Sequence, residues 1–230
     1  RAAASMSRNG DFWKPLRIGI ALTDDGHIAA SAMAEAEPLE RLLDEIQACA
    51  VCADGLPFGP RPILQAGSGA RLMICGQAPG SKAHASGRPF SDPSGERLRA
   101  WLALAPQTFY DASRVAIVPM GFCYPGRDQA GGDLPPRPEC ARRWQHRLLP
   151  LLADVELTLL IGHYAIAWHL GSGRKASLTD TVRAWREYLP RYLPLPHPSW
   201  RNTAWLRRHP WFGAECLPAL RSEVRRLVQA

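Results

Sequence analysis

Three short stretches of this chain carry residue types that can do chemistry together. Gly76-Gln77-Ala78-Pro79-Gly80 follows the apolar run Arg71-Leu72-Met73-Ile74-Cys75. Its two glycines leave room for backbone amides to approach an anion or the edge of a flat ring. The stretch also fits a plain strand-to-helix turn, and it is neither a dinucleotide fingerprint nor a Gly-Lys-Ser/Thr phosphate loop. Downstream, Gly87-Arg88-Pro89-Phe90-Ser91-Asp92-Pro93-Ser94-Gly95 puts an aromatic ring beside a carboxylate ahead of a helix. Phe90 can stack a flat base with Asp92 next to it; alternatively Asp92 and Ser94 are capping residues and Phe90 a loop anchor. The third stretch is His197-Pro198-Ser199-Trp200-Arg201-Asn202. A neutral imidazole donor stabilises negative charge developing on a leaving group, while Trp200 and Arg201 suit a duplex or its phosphates. A histidine before proline is also a common structural residue.

Six cysteines add a second chemistry. Cys75 closes an apolar strand and Cys216 falls in a helical apolar pattern, so both read as small core residues. Cys49-x2-Cys52, Cys123 and Cys140 remain, all near loops or helix ends. Four thiolates suit either a structural zinc ion or a cubane iron–sulfur cluster, and sequence alone does not separate them.

These residues need a frame. Glu37–Cys49 has Leu39, Leu42, Leu43 and Ile46 at helical spacing. Residues 71–75, 115–119, 157–161 and 192–195 read as four strands, the last an edge or irregular strand because of its prolines. Between and after them lie helical patterns: a helix capped by Ser94 with Leu98, Trp101, Leu102 and Ala105 on one face, one opened by Pro138, then 163–170, 179–189, 202–212 and 214–228. Short apolar strands alternating with helices predict a parallel sheet covered on both faces. Such sheets bind ligands beyond the carboxyl ends of their strands. The loops 76–95, 121–136 and 197–202 are therefore expected on one rim.

Length and composition bound the rest. A chain of 230 residues can bury a full core, and no apolar run reaches a membrane span. Arg1-Ala2-Ala3-Ala4-Ser5-Met6 lacks the apolar core of a signal sequence and reads as a leftover outside the fold. Residues 1–30 are taken as an N-terminal extension and 31–230 as a single domain, located in the cytoplasm. The formal net charge is +7, carried nearly all by arginine, which pairs geometrically with phosphate. That balance suits a polyanion without demanding one.

As an ordered set, the Gly-Gln-Ala-Pro-Gly, Gly-Arg-Pro-Phe and His-Pro-Ser segments resemble the motifs of the uracil-DNA glycosylase superfamily. With a Cys-x2-Cys ahead of the first motif and two more cysteines beyond strand two, the chain resembles its iron–sulfur families 4 and 5 from about residue 40 to 225. The resemblance implies a three-layer α/β/α fold with a central four-stranded, mainly parallel sheet. It implies a monomeric DNA-repair enzyme that flips uracil from single- or double-stranded DNA and hydrolyses its N-glycosidic bond, leaving an abasic site. It also implies a [4Fe-4S] cluster on Cys49, Cys52, Cys123 and Cys140, with structural zinc as the alternative.

Roles follow from the same resemblance. Phe90 stacks on the flipped base, and His197 bonds the uracil O2 as the base leaves. Asp92-Pro93-Ser94-Gly95 resembles the Asp-x-Ser-Gly of family 5, which makes Asp92 the acid. Gln77 stands where family 4 has a glutamate, near the base or the water. Gly76, Ala78, Pro79, Gly80 and Ser199 border the base; Ser94, Trp200, Arg201 and Asn202 meet the DNA. The asparagine that family 4 places on strand two has no counterpart in Val118-Pro119-Met120-Gly121-Phe122. Hypoxanthine, xanthine or mispaired thymine therefore stay open as substrates. Residues 121–139 contain no histidine, so the covalent DNA bonding of one branch is not expected. A reading from another class is a non-catalytic, metal-containing nucleic-acid-binding protein.

Overall fold

The computed structural model describes residues 38–228; the 1–30 extension lies outside them. Four strands form one sheet: β1 (Leu72–Cys75), β2 (Val115–Ile117), β3 (Leu157–Ile161) and β4 (Tyr192–Leu195). Their order is β2-β1-β3-β4 and every pairing is parallel. Buried on both faces, the strands are apolar throughout, as parallel sheets require.

Alternation along the strands divides the core. Leu72, Ile74, Leu157, Leu159 and Ile161 point to one side, where Leu98, Trp101, Phe212, Leu220 and Val224 pack. Those partners come from α3 (Pro93–Leu102), from α9 (Leu217–Val228) and from the turn before α9. Met73, Ala116 and Val118 point the other way, onto Leu42 and Ile46 of α1 (Leu39–Gln47) and Trp144 and Leu148 of α5 (Pro138–Leu148). The result is the expected α/β/α arrangement.

Several local expectations change. Asp92, not Ser94, caps α3: its Oδ1 accepts from the Gly95 amide at 3.0 Å, and Pro93 fills the first helical position. The helix α2 (Ser81–Ser86) lies in a stretch read as loop, and α4 (Pro106–Phe109) in one given no element. After α6 (Gly162–Leu170), the helix expected over 179–189 stops as α7 (Leu178–Arg183) and tightens into a 3-10 turn at Trp185–Tyr188. The closing region gives α8 (Thr203–Arg208), then a π-type turn at Phe212–Cys216 that leads into α9. β4 is indeed an edge strand, which tolerates Pro194.

Candidate active site

At the carboxyl ends of the strands lies a cleft of about 360 Å³. The loops after β1, β2 and β4 all reach it, so the three stretches singled out in the sequence share one rim. Gly76, Gln77, Ala78, Pro79 and Gly80 form one wall. Phe90, Asp92 and Ser94 line the next, and His197, Ser199, Trp200 and Arg201 face them across the opening. Asn202 does not line it; its Nδ2 donates to the His197 carbonyl at 2.7 Å and so shapes the histidine loop.

Phe90 is held in a backbone conformation that non-glycine residues seldom adopt, with φ at +50°. Its carbonyl accepts from the Tyr110 hydroxyl at 3.0 Å and from Arg99 Nη1 at 3.1 Å. Gly95 presses so close that a Cβ there would lie 1.8 Å from the Phe90 oxygen. A Cβ on Gly76 would stand 3.4 Å from the ring itself. Glycines on both sides thus let the ring lie flush against the wall. Backbone strain of this kind costs roughly 1–3 kcal/mol and persists where neighbours fix it.

Asp92 uses Oδ1 for the helix cap, while Oδ2 makes no hydrogen bond among the described residues. A helix N-terminus suits a carboxylate, because the amide dipoles point toward it. His197 Nδ1 accepts from the Ser199 amide at 3.2 Å. That bond assigns the proton to Nε2, which becomes a donor. Burial pushes the imidazole below its ordinary pKa, with Asp92 and Asp133 pulling it part of the way back. His197 is thus a neutral N–H donor at neutral pH. Trp200, 74% exposed, and Arg201 stand at the mouth, where DNA contacts were expected.

Gln77 is not free to swing. Its Nε2 donates to the Leu134 carbonyl at 2.9 Å, fixing it as wall. Arg97, Arg127, Lys82 and Asp133, which the sequence reading passed over, also line the cleft. Arg97 lies on the second turn of α3, a position that the Asp92 cap could have flagged. Asp133 had no such signal, because it sits in a loop legible only as rich in Gly and Pro.

Cys49, Cys52, Cys123 and Cys140 line a second, mostly apolar cavity with Phe122, Leu56 and Trp144. Cys75 and Cys216 are buried in the core, as expected. Among the described residues no three His, Cys, Asp or Glu side chains are gathered as a single-ion site. The donor set nonetheless fits a thiolate centre. The Phe122 amide donates to Cys140 Sγ at 3.3 Å, and the Arg61 backbone and the Arg137 guanidinium stand close enough to Cys123 and Cys52 to favour their charged forms. Arg137 Nε is buried in that wall without a hydrogen-bond partner among the described residues. N–H groups aimed at sulfur and a cation beside it favour the charged thiolate. Burial works against charge when no metal is bound, raising Cys52 and Cys123 and pushing Cys140 up to about 12.

A rim that joins an aromatic wall, a capped carboxylate and a neutral histidine at the end of a parallel α/β sheet can take a flat ring and stabilise it as a leaving group. Residues 65–221 match the model of the family described as the Uracil DNA glycosylase superfamily. The chain belongs to that superfamily: it is a glycosylase that acts on N-glycosyl bonds in DNA. The matched stretch includes all three motifs, Cys123 and Cys140, and begins after Cys49 and Cys52.

Proposed function

We propose that this protein is a monofunctional uracil-DNA glycosylase of the iron–sulfur type. It acts as a monomer in the cytoplasm, where cysteine ligands stay reduced. The observation that carries the reading is the neutral His197, its Nε2–H set by the Ser199 amide, in one cleft with Asp92 and Phe90. The base leaves the stack at a cost of a few kcal/mol, and stacking on an aromatic returns roughly 1–3 kcal/mol. As the C1′–N bond breaks, its electron pair goes to the base, and His197 donates to the uracil O2 that takes up the charge. The second oxygen of Asp92 faces the positive charge growing on the sugar. Trp200, Arg201 and Ser94 meet the DNA strand, with Asn202 holding their loop.

A wider set of deaminated bases is the second reading. Ile117 and Pro119 line the cleft from the end of β2 and offer no side-chain amide to read a base edge. Incubation with oligonucleotides bearing uracil, hypoxanthine, xanthine or mispaired thymine, then alkali, decides both activity and range. Strand breaks at uracil are expected. No break at any base would leave a non-catalytic DNA-binding protein.

Cys49, Cys52, Cys123 and Cys140 are proposed to hold a [4Fe-4S] cluster, with structural zinc as the alternative. The centre pins the segment after α1 to the loop after β2. A single zinc ion draws four sulfurs to about 3.8 Å from one another, given Zn–S bonds of about 2.3 Å; a cubane holds them farther apart. Brown protein with a broad visible band and bound iron is expected; colourless protein with stoichiometric zinc selects the alternative.

A further inference from the structure

The wall Gly76–Gly80 contains no acid, yet a carboxylate hangs over it from elsewhere. The loop from Gly126 to Leu134 doubles back on itself, closed by the antiparallel bridge between Arg127 and Asp133 and by Leu134 N–H donating to Gly126 O at 3.0 Å. It is fastened to three parts of the cleft. Leu134 O accepts from Gln77, Arg127 Nη2 donates to Ser81 Oγ at 3.2 Å, and Gly131 O accepts from Arg201 at 2.9 Å. The strap therefore spans from the first motif to the histidine loop. It carries Asp133 into the cleft, with Oδ2 3.6 Å from where a Cβ on Gly80 would stand. Oδ1 faces Arg127 Nε at 3.7 Å.

We propose that Asp133 is a second catalytic carboxylate, which receives the proton of the attacking water. This rests on the glycosylase reading above. Hydrolysis needs a negative charge near the sugar and an acceptor for a water proton, and Asp92 has one of its two oxygens committed to the α3 cap. Among the described residues, Asp92 and Asp133 are the two carboxylates that line this cleft. Asp133 stands over Gly80 on the first-motif wall, apart from the α3 N-terminus that Asp92 caps, so the two acids divide the work. The C1′–N bond breaks with its electron pair passing to the base, and the water oxygen bonds to C1′. The water proton moves to the Asp133 carboxylate and on to solvent, while the released base anion takes a proton from solvent.

The test compares single-turnover excision by Asp133→Asn, Arg127→Gln and Asp128→Asn, on whichever base the wild-type protein removes. Asp133→Asn is expected to slow excision about 100-fold, the lower end of the range for a positioned acid–base group. Its affinity for the same DNA, read by fluorescence anisotropy, should hold or tighten, since a negative charge at the mouth is gone. Asp128 stands on the same strap, where its Oδ1 accepts from the Gly132 amide at 2.7 Å; Asn keeps that acceptor, so Asp128→Asn should stay within about twofold. Arg127→Gln removes the ion pair but leaves the Asp133 carboxylate, and its loss should fall well short of that of Asp133→Asn. Equal losses in those two variants would make Asp133 a strap residue and overturn the proposal. So would an unchanged rate in Asp133→Asn, or a fall in affinity that accounts for its fall in rate. A wild-type protein that removes no base fails the function reading, and this proposal falls with it; an active wild type with an active Asp133→Asn fails this proposal alone.

Discussion

The Arg97 guanidinium donates to the Ser199 carbonyl at 2.9 Å, which ties the helix capped by Asp92 to the loop that holds His197. Its second nitrogen reaches Thr203 Oγ1 at 3.5 Å, at the start of α8. One half-buried side chain therefore sets the distance between the acid and the imidazole. Arg97→Met keeps the aliphatic stem and loses both bonds. Excision should slow about tenfold or more, since displacements near 1 Å can cost about a hundredfold. Stability should fall by only about 1–2 kcal/mol. Single-turnover kinetics beside urea unfolding checks both; a rate that falls no more than stability does would remove the positioning role.

Phe90 and Gly95 give a sharper steric prediction. A methyl group at Gly95 would overlap the Phe90 carbonyl at 1.8 Å, and that atom is backbone, already fixed by Tyr110 and Arg99. Gly95→Ala must push the 90–92 turn outward, taking the ring and the Asp92 cap with it. The expected cost is about 1–3 kcal/mol, with excision reduced by more than the fraction unfolded explains. Thermal melting and single-turnover rate on one preparation measure the two effects.

Asp92→Asn and His197→Ala separate chemistry from folding. Asparagine caps helices as well as aspartate does, so the variant should melt close to wild type. Its missing charge should slow excision about a hundredfold. His197→Ala removes the Nε2–H donor, a change that costs about 10²–10³ in comparable sites. Retained activity in either would strip that residue of its role.

The sequence signals that worked are the ones with a local physical cause. Apolar runs of four or five residues bounded by Gly and Pro gave all four strands, because a sheet buried on both faces leaves no other pattern. The shared rim followed from parallel topology, which sends every strand's carboxyl end the same way. Asp92 was legible as a capping residue, which the structure places at the start of α3. Ser94 was misread as the cap because Pro93 hides the true boundary: it takes the first helical position and leaves Asp92 just outside. The Asp133 strap was not legible. Its position depends on long-range bonds to Gln77, Ser81 and Arg201, and no periodicity encodes such contacts. The tie from Arg97 to Ser199 has the same origin.

The cysteine centre is tested apart from activity. Cys140 is half-buried, its sulfur already accepting the Phe122 amide. Cys140→Ser should lower bound metal toward zero and weaken any visible band. Without the centre, residues 49–62 keep only weaker ties to the loop after β2, such as the Phe58–Tyr124 ring stack, and melting should drop by roughly 5 °C or more. Metal analysis with thermal melting reads both. Full metal content in Cys140→Ser would exclude it as a ligand.

His169 on α6 makes stability depend on pH. Its Nε2 is sealed from solvent without a hydrogen-bond partner among the described residues, and its ring lies against Tyr192 at 5.7 Å. Burial, with Arg191 nearby, pushes its pKa down to about 4. In the unfolded chain the same group titrates near 6.5. As pH falls below that value, the unfolded chain binds the proton first and the folded state is penalised. The contribution is therefore complete above about pH 6.5 and is lost as pH falls toward about 4. Between pH 7 and pH 5 the loss is roughly 2 kcal/mol. His163 and His197, also held below the usual histidine range by burial, act in the same direction. His169→Phe keeps an aromatic ring against Tyr192 and removes the titration. In urea unfolding at the two pH values, this variant should lose less stability than wild type by about that amount. An equal loss in both proteins would mean that His169 takes up its proton without cost in the folded state.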